Sequence, residues 1–152
     1  MKAKIFLPII LLGILALGGC TQNNGHIGRL FGAWVMTEMT VDGVEKVFPD
    51  DVYTSMAFQS GVVRFDYHYA HNSRTERYGS WVETDNNVTF NFTHSDDNTA
   101  AGTGHYAAPD WLDLPQKTKI DMTIADCGGG RLTLVYATPD GKTIIYKFER
   151  TW

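Results

Sequence analysis

Residues 119–148 read KIDMTIADCGGGRLTLVYATPDGKTIIYKF. Ile120, Met122 and Ile124 alternate with Lys119, Asp121 and Thr123; Leu132, Leu134 and Tyr136 alternate with Arg131, Thr133 and Val135; Ile144, Tyr146 and Phe148 alternate with Thr143, Ile145 and Lys147. A period of two sends successive side chains to opposite faces of a strand, so each run predicts a strand with one dry and one wet face. Pro139-Asp140-Gly141 supplies the turn between the last two. Gly128 to Gly130 read as a turn, which places Cys127 at a strand end without the cationic neighbour or helix N-terminus that a reactive thiol needs.

The same period extends toward the N-terminus. Val63, Phe65, Tyr67 and Tyr69 alternate with Arg64, Asp66 and His68, and Val88, Phe90 and Phe92 alternate with Thr89 and Asn91. Turn residues stand at Asp42-Gly43, Ser60-Gly61 and Asp85-Asn86-Asn87. About eight strands are expected, starting near Leu30, Val52, Val62, Glu76, Val88, Lys117, Arg131 and Lys142. The fold class is all-β. A meander of this size hides its edges most simply as an eight-stranded antiparallel up-and-down barrel, and a sandwich also accommodates the strands. Short helices are expected only at Pro49–Tyr53 and inside one long loop, 93–116. Trp111, Leu112 and Leu114 give that loop apolar surface that prefers to dock, which predicts a flap over one barrel end.

The first 20 residues read differently. Lys2 and Lys4 precede an apolar run from Ile5 to Leu17, too short for a spanning helix, and Leu17-Gly18-Gly19-Cys20 follows. These four residues resemble the bacterial lipobox, in which the cysteine is lipidated and becomes the mature N-terminus. The resemblance implies a signal peptide over 1–19, a lipidated tether over 20–28 and a barrel domain over 29–152. It also implies a membrane-attached protein of the cell envelope. Thr21 stands where an aspartate is associated with inner-membrane retention, which favours the outer membrane, facing the periplasm.

Without its first 19 residues the chain has 133, enough for one core. Its 13 basic residues lose Lys2 and Lys4, leaving 11 against 17 acidic residues and a net charge of −6. That balance argues against a nucleic-acid partner, which needs a basic stripe. Cys127 is the sole thiol beside Cys20, so the core must hold the fold.

Gly32-Ala33-Trp34 near the start of the first strand, with Arg150 near the end of the last, resembles the calycin pattern of lipocalins and fatty-acid-binding proteins. The combination with a lipobox and short linker is most similar to lipocalin-like lipoproteins of Bacteroidetes. The resemblance implies that Arg150 packs over the Trp34 ring and closes the barrel beside Gly32, a cation–π contact.

Phe58, Phe65, Tyr67, Trp81, Phe90, Phe92, Tyr136, Tyr146 and Phe148 form the aromatic inventory of an inward face. An eight-stranded barrel lies near the size at which side chains fill the interior or enclose one small ligand, and the sequence leaves both open. The candidate ligand-lining residues are Phe58, Phe65, Tyr67, Trp81, Phe90, Trp111, Tyr136 and Tyr146. If the aromatic face is inside, then Arg64, Asp66, His68, Arg74, Glu76 and Arg77 form the outer surface of a hairpin. His68 with His71, and His94 with Asp96 and Asp97, have neither the spacing nor the closing ligands of a metal site. No catalytic or cofactor motif is present: Gly102-Thr103-Gly104 lacks the helix and lysine of a phosphate loop. The leading expectation is a small apolar ligand bound at an open barrel end under Trp111. Its rival is an envelope protein partner docked on a filled barrel, with a hydrolase-type enzyme third.

Overall fold

The computed structural model describes residues 28–93 and 106–151. The leader, Cys20, the tether before Gly28, His94, Asp96, Asp97 and Gly102 to Gly104 lie outside the described residues. Within them the chain forms β1 (Gly32–Val41), β2 (Val44–Glu45), β3 (Tyr53–Gln59), β4 (Val62–His68), β5 (Arg74–Thr84), β6 (Asn87–Asn91), β7 (Lys119–Gly128), β8 (Arg131–Ala137) and β9 (Thr143–Arg150). Every neighbouring pair is antiparallel, and β1 also pairs with β9 from Trp34↔Arg150 to Val41↔Ile144. Eight strands thus close a meander barrel, with β2 as a two-residue appendage.

Several boundaries differ from the sequence reading, each for a physical reason. Residues 49–52 form a turn closed by Val52 N–H to Pro49 O, not a helix. The ninth strand, β2, exists because Asp42 and Gly43 hold φ of 50° and 82°, folding the end of β1 into a tight hairpin too short to show a period. Leu30 is not part of a strand. It is fully buried as a plug in the barrel floor, and the Trp34 Nε1–H donates to its carbonyl at 2.8 Å. Short 3-10 turns occur at Ala70–Asn72 and at Asp110–Leu112, the latter inside the long connection as expected.

Gly32, Trp34 and Arg150 lie together at the floor. Gly32 holds φ of 123°, which a side chain would resist, and so admits the chain from the floor into β1. The Arg150 guanidinium lies 4.4 Å from the centre of the Trp34 ring and donates through Nη2 to Arg29 O at 2.6 Å. First strand, last strand and entering chain thus share one contact. Above it, Phe58 meets Trp81 edge-on at 4.9 Å, and Phe65, Phe90 and Phe92 pack as tilted or edge-on pairs at 5.6 to 6.4 Å. Gly79 faces inward opposite Val63, where a side chain would have to share space with the Phe92 ring.

Two stability predictions follow from this packing. Gly79→Ala would set a methyl group 2.8 Å from the Phe92 ring, so urea unfolding should show a loss of about 1–3 kcal/mol, as for other overpacked cores. Arg150→Ala should lose about 1–2 kcal/mol, the range of a cation–π contact with a hydrogen bond, while Trp34→Ala should lose about 3–5 kcal/mol. Equal losses for the two closure variants would contradict the packing described.

Candidate functional site

The register divides the barrel into two ends. Trp34, Phe58, Val63, Trp81, Val88, Leu132 and Arg150 lie at the floor; Met39, Thr54, Tyr67, Arg77, Phe92, Ile120, Tyr136 and Ile144 lie at the mouth. Of the eight candidate lining residues, Phe58, Phe65, Trp81, Phe90, Tyr136 and Tyr146 are buried in the core, and Tyr67 and Trp111 are half-buried at the mouth. They pack against one another more than they line a space. Along the axis, Met56, Phe65, Phe90, Met122, Leu134, Tyr146 and Phe148 surround a void of about 10 Å³, room for about one water. Among the described residues, the barrel interior is filled.

The filling is completed by the predicted flap. Leu112 and Leu114, 2% and 6% exposed, reach into the mouth and touch the same axial void. Tyr146 donates its hydroxyl proton to Leu112 O at 2.7 Å, and Trp111 Nε1–H donates to Thr54 Oγ1 at 2.9 Å. On the rim, Lys46 Nζ donates to Trp111 O at 3.1 Å and pairs with Asp113 at 2.8 Å. Burial holds the Tyr146 hydroxyl far above its ordinary range, reinforced by Asp113, so it acts only as a neutral donor.

Beside the flap lies a recess of about 310 Å³ between the segment 113–115 and the β8–β9 turn. Val41, Leu114, Pro115, Pro139 and Ile144 give it apolar walls; Asp113, Tyr136, Thr138, Asp140 and Lys142 give it polar ones. Asp140 is held below its usual range by hydrogen bonds from Thr138 and Lys142, and Lys142 is held above its own by Asp140. Burial, with Asp140 nearby, pushes the Tyr136 hydroxyl up. At neutral pH the recess therefore offers a phenolic donor and a carboxylate–ammonium pair around an apolar floor. A second cleft of about 230 Å³ opens where β1 leaves β3 beyond Val35↔Ser55, lined by Met36, Met39, Val47, Phe48 and Tyr53 among others.

The charged hairpin face is outside as expected, with two differences. Asp66 is only 2% exposed, because the long side chains of Arg64, His68, Glu76 and Tyr78 occupy neighbouring positions around it. Arg77 is the correction. It faces inward opposite Phe65, with its guanidinium 5.9 Å from the centre of the Trp111 ring, because β5 begins at Arg74 and carries arginine and glycine on its inner face.

Ser55 Oγ lies 3.0 Å from His68 Nε2, but the Asp66 carboxylate contacts Arg64, so no orienting acid backs the imidazole. His68 is lowered mainly by burial. Burial also raises Cys127, whose thiol donates to Arg29 O at 3.7 Å, which leaves it short of thiolate. Among the described residues no three His, Cys, Asp or Glu side chains converge as metal ligands.

No family model matches the chain, and no curated protein matches it. Solved structures do. The crystal structure of a lipocalin-like protein from Bacteroides uniformis ATCC 8492 superposes with a TM-score of 0.54 at 17% identity, covering 82% of this chain and 100% of the other. An uncharacterized protein from Bacteroides eggerthii DSM 20697 gives a TM-score of 0.50 at 16% identity, with 78% and 98% covered. Identity this low speaks for shared architecture, and with the closed antiparallel meander it fixes the fold: the chain is a lipocalin-like β-barrel.

Proposed function

We propose that this protein is a lipid-anchored lipoprotein of the bacterial cell envelope whose barrel binds a small, largely apolar molecule at its mouth. The observation that carries the binding reading is the recess beside the flap. Its volume of about 310 Å³ falls at the lower end of small-molecule sites. Its apolar walls and few polar groups suit a compact ligand with one or two polar atoms. A filled axis excludes a long ligand lying along the barrel in this conformation. The anchoring reading rests on Lys2, Lys4, the apolar run and the lipobox-like residues 17–20, and Thr21 favours the outer membrane facing the periplasm.

A second reading, docking of an envelope protein, draws on the filled interior and on Val47 and Tyr53, which are 81% and 49% exposed beside the side cleft.

Mass spectrometry of the mature N-terminus should find diacylglycerol on Cys20 with residues 1–19 removed. An unmodified Cys20, or retention of Met1, overturns the anchor. Titration with compact, largely apolar molecules carrying one or two polar atoms, such as cyclohexanol, camphor and hexanoate, should shift Trp emission for at least one of them, and Val41→Trp, which fills the recess from its rim, should weaken that binding at least tenfold. A flat response across the panel removes the ligand reading and leaves the docking one.

A further inference from the structure

We infer that the side cleft between β1 and β3 docks a basic, apolar segment of a partner protein, one that presents a large apolar side chain flanked by lysine or arginine. This rests on the docking reading and gives its partner a chemistry. The cleft is a gap in the outer wall. β3 covers β1 from Gly32 to Val35 and β2 covers Thr40 and Val41, so Met36, Thr37 and Glu38 have no strand beside them on that side among the described residues. Met36, Met39, Val47, Phe48, Val52 and Tyr53 wall the space of about 230 Å³ that results. None of its lining residues lines the axial void, so what docks here stays outside the barrel.

The walls are set before a partner arrives. Tyr53 stacks flat on the His68 imidazole, with ring centres 4.1 Å apart. Phe48 and Val52 flank a turn closed by Val52 N–H to Pro49 O. Val47 stands on the rim at 81% exposed, an apolar side chain that gains from contact with another apolar group.

Charge selects the chemistry of that partner. Glu45 lines the cleft, and Asp50 and Asp51 stand on the turn between two of its walls. Among the described residues none of these three carboxylates is in an ion pair, whereas Glu38 is paired with Lys147. Lys46, the cation of the lining, is committed to Asp113 and to Trp111 O. Beyond His68, Arg64 and Arg74 pair with Asp66 and Glu76. The rim is therefore negative, which draws lysine and arginine and repels an anionic lipid surface. A second copy seated on this cleft would bring two such sets of carboxylates together, so charge also counts against self-association.

The test uses the full chain in zwitterionic detergent and three capped peptides: Lys-Phe-Lys-Phe-Lys, its charge-reversed form Glu-Phe-Glu-Phe-Glu, and Lys-Ser-Lys-Ser-Lys. Methyl NMR reads the place of binding, with Met36, Val47 and Val52 for the cleft and Val41 and Ile144 for the recess. The first peptide should move the cleft methyls and leave the recess still, and Val41→Trp should not change its affinity. Val47→Ser, at a side chain exposed enough to spare the fold, should weaken it roughly tenfold, the worth of burying one valine. Glu45→Gln with Asp50→Asn and Asp51→Asn should weaken it roughly three- to thirtyfold, the sum of three exposed pairs, and flatten its decline with salt. Equal affinity for the acidic peptide overturns the basic partner but keeps the docking reading, and equal affinity for the serine peptide overturns the apolar anchor. Cleft methyls that answer neither phenylalanine peptide overturn both the inference and the docking reading. A dimer in sedimentation that Val47→Ser dissolves makes the occupant a second copy and overturns the inference.

Discussion

Closure between the first and last strands is the constraint from which the rest of the molecule follows. β1 and β9 are over a hundred residues apart in sequence, yet they pair from Trp34↔Arg150 to Val41↔Ile144. A sheet closed on itself presents no long free edge, and its inward residues have one shared space to fill. At the floor the guanidinium of Arg150 covers the Trp34 indole while both side chains bond the entering chain at residues 29 and 30. That single junction fixes where the polypeptide enters and where the last strand ends. It also leaves the opposite end as the place where variation is cheap.

Eight strands enclose a narrow interior, and this sequence spends it on rings. Phe58, Phe65, Trp81 and Phe90 already take up the lower and middle layers. Only the upper layer is incompletely filled by the strands. There the chain folds back a connection rather than enlarging a strand residue, so the part of the core that is easiest to exchange lies nearest to solvent. Peripheral polar ties guard it, and pairs of this exposure are individually weak.

The strands with clean alternation were legible: β4, β6, β7, β8 and β9 place on the inside the apolar sets that their period marks, except Tyr69, which lies beyond the end of β4 and is exposed. The apolar residues of the flap also announced its docking. β5 was not legible, because its inward positions are Thr75, Arg77, Gly79, Trp81 and Glu83 while Val82 points outward. Gly79 is small to admit Phe92, and Arg77 is inward and half-buried, with its guanidinium beside the Trp111 ring. Such choices depend on side chains far away in sequence. Whether the aromatic set would fill the barrel was likewise undecidable from strands alone, since the last two plugs come from the flap. The recess draws on three separate stretches, Val41, 113–115 and 136–144, with no shared motif to signal it.

The chain joins the barrel at Gly28, beside Arg29 and the Arg150 junction, and so at the floor. An anchor at Cys20 would hold the molecule by its floor, through eight residues able to reach at most about 30 Å. Mouth, flap and recess lie at the opposite end, so the attachment leaves all three unobstructed to a molecule approaching from solution.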